Sequence, residues 1–135
     1  MSRENLDVVR AGYEAWSRGD VDSVLASLDP EVELHDPPES PDAQTWHGHE
    51  GYRRSLEQFL TAWEEVSIEP EQLVDAGDKV LARVHYRGKS KGAGVEVEAH
   101  IFHVFTMRDG RGVRVEVYGD ERQARKAAGL AATPR

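Results

Sequence analysis

The order of hydrophobic periods predicts an α+β fold in which helices pack on a strongly curved, mainly antiparallel sheet that encloses an apolar pocket. Three observations carry this expectation. Apolar residues recur every three or four positions near the start and again over residues 52–63. From Val66 onward the period becomes two, and the alternating segments are joined by short glycine-containing links. Helices gathered first and hairpin-connected strands later describe a layer of helices on an antiparallel sheet.

Taken in order, residues 3–18 place Leu6, Val9, Tyr13 and Trp16 on one helical face, with Ser2 as a candidate N-cap. Gly19-Asp20 ends this helix, and Asp20 caps a shorter one carrying Val21, Val24, Leu25 and Leu28. Asp29-Pro30 stops the second helix. Val32, Leu34 and Asp36 then alternate with Glu31, Glu33 and His35, the pattern of a short strand. The stretch from Pro37 to Gly48 contains Pro38 and Pro41 and reads as a loop. Helical spacing returns with Tyr52, Leu56, Phe59 and Trp63 on one face. Four strands follow, over Ser67–Ala76, Lys79–Lys89, Val95–Met107 and Val113–Tyr118. Their connections read as hairpin turns. A last polar helix runs from about Asp120 to Ala128, with Gly129 at its end. The expected organisation is one domain over residues 1–130 and a frayed tail over 131–135. The long strand over Val95–Met107 is suited to strong bending, and a bent sheet under helices makes a cone with an open mouth.

Composition excludes several function classes. The chain has 135 residues, enough for one core without staples, and a formal net charge of −8, which opposes binding to nucleic acid or anionic membrane. There are no cysteines, so disulfides, thiolate metal sites and thiol catalysis are out of reach. No apolar run approaches the roughly 20 residues of a membrane span, and the first residues lead into an amphipathic pattern rather than a signal-peptide core. A cytoplasmic location is expected. Six histidines do not assemble into a ligand set: His100 and His103 are three apart on a strand and so face opposite ways, and His47 with His49 is an undiagnostic pair. His85 falls on the outer parity. Gly88-Lys89-Ser90 lacks the glycine and the following helix of a phosphate loop and reads as a turn. Neither a metal nor a cofactor is expected.

Two residues polarise the predicted pocket. Asp36 shares strand parity with Val32 and Leu34, so its carboxylate points where apolar groups point, an arrangement suited to moving a proton beside a carbonyl. The alternative is a turn carboxylate ahead of Pro37-Pro38. His103 interrupts the stripe Ala99, Ile101, Phe105 and Met107; it is either a pocket group or a core histidine satisfied by backbone or a tyrosine. Tyr13, Trp16, Trp46, Phe59, Trp63, Phe105 and Tyr118 form the candidate binding wall, with core packing as the other reading. Trp46 differs in sitting in the loop, where it would form a lid or mouth.

The runs Tyr13–Asp20 (YEAWSRGD), Leu28–Pro37 (LDPEVELHDP) and Trp46–Gly51 (WHGHEG) resemble the SnoaL-like proteins of the nuclear transport factor 2-like superfamily. The Asp75–Asp78 turn and the strands over Glu98–Gly110 and Val113–Tyr118 continue the likeness, which spans about residues 5–128. The resemblance implies the cone-shaped fold and a homodimer joined sheet to sheet. It also implies a range of activities, from polyketide cyclases, ketosteroid isomerases, an epoxide hydrolase and dehydratases to members without catalysis. Asp36 matches the isomerase general base, and His103 matches the acid that hydrogen-bonds the enolate. The helix-borne tyrosine of the isomerases corresponds to Gly12, with Tyr13 one residue and about 100° away, which counts against ketosteroid isomerase activity itself. Asp120 corresponds to a late-strand acid/base of the cyclases, although it also suits the N-cap of the last helix.

The resulting expectation is cofactor-independent acid/base chemistry of isomerase, cyclase or hydrolase type on a small apolar molecule, with Asp36 and His103 as the catalytic pair. The alternatives are a non-catalytic small-molecule-binding module and a dimeric scaffold with an occluded cone.

Overall fold

The computed structural model describes residues 2–131. Helix α1 (Ser2–Ser17) is followed by α2 (Val21–Ala26), β1 (Leu28–His35), β2 (Thr45–His47), α3 (Gly48–Thr61), β3 (Trp63–Ala76), β4 (Lys79–Ser90), β5 (Glu96–Arg108), β6 (Arg111–Tyr118) and α4 (Glu121–Ala127). The six strands form one curved, unclosed sheet in the order β2-β1-β6-β5-β4-β3. The expected four-strand meander is present as β3 to β6, all antiparallel. Beyond it, β1 runs parallel to β6 and brings β2 with it as an antiparallel edge.

Several boundaries differ from the sequence expectations, each for a local reason. The second helix ends at Ala26 with Ser27 as its C-cap, and Leu28, expected on that helix, opens β1. Pro30 sits exposed inside β1, where the sheet register with β6 shifts between Leu28 and Glu33. A proline is tolerated there because the irregularity removes the need for its missing N–H. The segment expected to be wholly loop contains β2, since Trp46 pairs with Leu34 across the edge of the sheet. Helix α3 stops at Thr61, and Trp63, expected as its last apolar position, begins β3. The Asp20 and Asp120 caps form as expected: each carboxylate accepts from a backbone N–H in the first turn, of Ser23 and Arg122 respectively. The side chain of Ser2 and the tail beyond Ala131 lie outside the described residues.

The sheet has two differently covered faces. Its concave side carries Val80, Ala82 and Val84 of β4, Phe105 and Met107 of β5, and Val115 of β6. These pack with Val9 and Tyr13 of α1, Leu25 of α2 and Leu34 of β1. Val32, Val80, Val84, Val104 and Val115 are fully enclosed, each contributing about 1.5–3 kcal/mol through burial. On the convex side, Leu81, Phe102 and Val104 are covered by Ala124 of α4 and by Ala128, its C-cap. Further along that side the outward positions turn polar, with His85 bridging to Glu98 (3.1 Å) and His100 to Glu71 (2.8 Å). Among the described residues, no helix is long and apolar enough to cross a membrane.

An aromatic column closes one end of the concave side. Trp16, Phe59, Trp63 and Tyr86 follow one another at ring-centroid separations of 6.4, 6.0 and 6.0 Å. The Trp63 ring lies directly on Gly88, where a Cβ would stand 2.5 Å from its Cε3 and 3.0 Å from the Glu65 carbonyl oxygen. Gly88 is therefore a packing requirement: a side chain at that position collides with the indole and with the paired strand. Gly88→Ala is expected to lower unfolding stability in urea by ~1–3 kcal/mol, the usual range for overpacking. A loss below about 0.5 kcal/mol, the level of a neutral surface change, would show that the indole moves aside freely.

Candidate functional site

Between the concave sheet and helices α1, α2 and α3 the packing leaves a cavity of about 420 Å³, within the range of small-molecule sites. Its existence follows from geometry: α1 rests mainly on β3 and α3 mainly on β1, so the curved centre of the sheet lies deeper than the helices reach. The floor is the inward stripe Ile101, His103, Phe105 and Met107 of β5, beside Val115 and Val117 of β6. The helices supply Val9, Tyr13 and Trp16 from α1, and Tyr52, Leu56 and Phe59 from α3.

Asp36 lines the cavity from the residue after β1. Its carboxylate accepts from the Trp46 indole N–H, 3.2 Å to Oδ1 and 3.3 Å to Oδ2, and from the Gln44 backbone N–H at 3.2 Å to Oδ2. Its own backbone N–H donates to the Gln44 carbonyl at 3.1 Å. Strand parity thus continues one residue past β1, and the carboxylate also tethers the neck of the 37–44 loop. Both readings offered by the sequence describe the same group. Through Pro37, Ser40 and Trp46 that loop forms part of the cavity wall.

His103 meets Tyr13 across the floor. The Tyr13 hydroxyl and His103 Nδ1 share a hydrogen bond of 2.6 Å, joining α1 to β5. The two rings are parallel to within 1°, and Phe105 stands edge-on to both, at 88° and 89° with centroids 6.0 Å away. Tyr13 is buried. Burial pushes the His103 imidazole down to about 4 and the Tyr13 phenol well above its ordinary value, with Tyr52 nearby adding to the latter. Both groups are consequently neutral near pH 7. The remaining nitrogen, His103 Nε2, has no hydrogen-bond partner among the described residues, yet the one buried side-chain nitrogen or oxygen without a partner there is Arg83 Nε. Nε2 therefore faces open space, which is the cavity. The Tyr52 hydroxyl is placed in the same way, and burial raises it to about 12.

Of the residues singled out from sequence, Asp36, His103, Tyr13, Trp16, Trp46, Phe59 and Phe105 line the cavity together. Trp63 and Tyr118 do not. Trp63 packs behind Phe59 and Tyr86 on Gly88. Tyr118 pairs with Phe102 on the convex side and donates its hydroxyl to Glu116 at 2.6 Å. Asp120 is exposed and caps α4. Sequence reasoning passed over Tyr52 and Tyr86 as cavity groups, although both carried the signal, Tyr52 by sharing the helical face of Phe59 and Tyr86 by sharing the parity of Val84. Ser40, Ser55 and Gln58 also line the cavity, and no pattern in the chain marked them. Asp36 is the one carboxylate among the lining residues, and no lysine or arginine is among them. Among the described residues, no group of three or more His, Cys, Asp or Glu is arranged to hold a metal ion.

The fold has many solved counterparts. A nuclear transport factor 2-like protein of unknown function from Burkholderia pseudomallei superposes with a TM-score of 0.78 at 26% identity, over 96% of this chain and 98% of that one. TerC, co-crystallised with polyporic acid, gives 0.77 at 22% identity, over 93% and 98%. A protein assigned as a SnoaL-like polyketide cyclase from Jannaschia sp. CCS1 gives 0.78 at 17% identity, over 98% and 95%. No curated protein matches the chain. The family model of the SnoaL-like domain matches residues 9–115, and the chain belongs to that family.

Proposed function

We propose that the cavity is the reaction chamber of a cofactor-independent acid/base step, of cyclase or isomerase type, on a small uncharged substrate that is mostly apolar. The observation that carries this reading is the polarity of an otherwise apolar chamber: one carboxylate acceptor, Asp36, and one neutral imidazole, His103, open on the same space. Asp36 would take a proton from the carbon beside a substrate carbonyl and return it elsewhere. His103 would donate to the oxygen on which negative charge develops. With no lysine or arginine in the lining, an anionic substrate would meet a carboxylate and no counter-ion, so an uncharged one is favoured. Aromatic walls from Trp16, Trp46, Tyr52 and Phe59 suit a planar unsaturated ligand. The SnoaL-like family and the likeness to an assigned polyketide cyclase support a step of cyclase type.

A second reading is a non-catalytic small-molecule-binding domain. It draws on the three donor contacts already made to the Asp36 carboxylate by Trp46 and Gln44, which suit a structural tether as well as a base.

Deuterium exchange separates the two. In D₂O, the protein is expected to accelerate exchange of the protons beside the carbonyl of a small aromatic ketone, followed by NMR. Asp36→Asn is expected to lower that rate by ~10²–10⁴-fold while the circular dichroism spectrum is retained. Unchanged exchange in the variant removes Asp36 from the chemistry. A ketone that binds the wild-type protein without accelerated exchange supports the binding domain instead.

The buried neutral imidazole also sets a pH dependence. His103 titrates at about 4 in the folded protein, below the ordinary 6.5, so between those values the unfolded chain binds the proton more readily. Stability therefore rises with pH through this window, and the contribution of His103 is complete above about 6.5. The melting temperature is expected to fall from pH 6.5 to pH 4 more steeply for the wild-type protein than for His103→Gln. Parallel curves would refute a buried neutral imidazole.

A further inference from the structure

The hydrogen bond between Tyr13 and His103 does more than satisfy two buried groups. Its direction determines what the cavity floor presents to a ligand. His103 has two nitrogens and, when neutral, one ring proton. If that proton sits on Nδ1, it points at the Tyr13 oxygen, and Nε2 faces the cavity as an acceptor. If it sits on Nε2, the cavity meets a donor, and the tyrosine hydroxyl donates to Nδ1.

The surroundings of Tyr13 choose between these. Its hydroxyl has no acceptor other than His103 Nδ1 among the described residues, and the residue is buried. Each tautomer leaves one proton outside this bond, on the phenol when Nδ1 is protonated and on Nε2 when it is not. Tyr13 is buried, whereas His103 is partly exposed and lines the cavity, so the Nε2–H form puts that proton where water or a ligand can accept it. A donor held against packed protein without an acceptor is less favourable than one that opens on a cavity. Imidazolium and phenolate forms do not compete near pH 7, because burial drives both groups toward neutrality. Phe105 stands edge-on to both rings, which lie parallel, and packs against the pair.

We propose that Tyr13 is a positioning residue that locks His103 as the Nε2–H tautomer, so that the cavity floor presents one fixed imidazole donor to an acceptor oxygen of the ligand. This goes beyond the acid/base reading and holds equally for a protein that only binds, since a fixed donor orients a carbonyl ligand with or without turnover.

Long-range proton–nitrogen NMR of ¹⁵N-labelled protein at pH 7 tests it, with His103 assigned by the signals lost in His103→Asn. The expected wild-type spectrum has the ring proton on Nε2, a pyridine-type Nδ1, and a downfield tyrosine hydroxyl proton that disappears in both Tyr13→Phe and His103→Asn. Tyr13→Phe keeps the ring against Phe105. In it, Nδ1 is expected to move toward the position of a free pyridine-type nitrogen, with the second tautomer becoming populated. Tyr52→Phe removes a neighbouring cavity hydroxyl and is expected to leave the His103 nitrogens unchanged. A proton on Nδ1 in the wild-type protein overturns the proposal whether or not the variants fold. Identical His103 shifts in Tyr13→Phe, or equal shifts in Tyr52→Phe, overturn it as well.

Discussion

The strongly curved sheet is the constraint from which the rest follows. Its concave stripe, Val80, Ala82 and Val84 beside Ile101, Phe105 and Met107, must be covered, and straight helices cannot follow a curved surface along its whole length. Helix α1 seats on β3 and helix α3 on β1, which leaves the centre bridged rather than filled. The cavity is thus a by-product of covering a bent sheet with rigid rods. Its apolar lining is shared between the sheet floor and the helix faces above it.

Polar groups in such a space are unfavourable unless paired, and the two that matter are paired differently. Asp36 sits at the edge, tied to the 37–44 loop through Gln44 and to the wall through Trp46. It accepts from both while bracing the loop. His103 lies on the floor, where a charged imidazole is too poorly solvated to persist, and a neutral tyrosine answers one nitrogen only. The chamber therefore combines an acceptor at one wall with a half-satisfied imidazole at another.

The column Trp16, Phe59, Trp63 and Tyr86 shows how the same aromatic residues serve both ends. Trp16, Phe59 and Tyr86 face the cavity, whereas Trp63 turns away and lies on Gly88. Helix α3 ends two residues before Trp63, so the regular spacing that joined it to Tyr52, Leu56 and Phe59 does not survive the helix terminus. Tyr118 diverges for a related reason: alternation along β6 sends it to the convex side with Phe102, opposite Val117 and His103.

Periodicity by itself determined the α+β class, the β3 to β6 meander, the two aspartate caps and the inward direction of His103, because each depends on neighbours within a few residues. It also placed Asp36 beside Leu34 on the cavity side. The parallel pairing of β1 with β6, and the edge strand β2, were decided only in three dimensions, since nothing local to Thr45–His47 announces a partner at Glu33–His35. The same holds for the bond between Tyr13 and His103, 90 residues apart in the chain. From sequence, Tyr13 was a helix-face aromatic and His103 a polar break in an apolar stripe. The height at which α1 crosses the curved sheet brought their ring atoms to hydrogen-bond distance, and that height is a property of the packed whole.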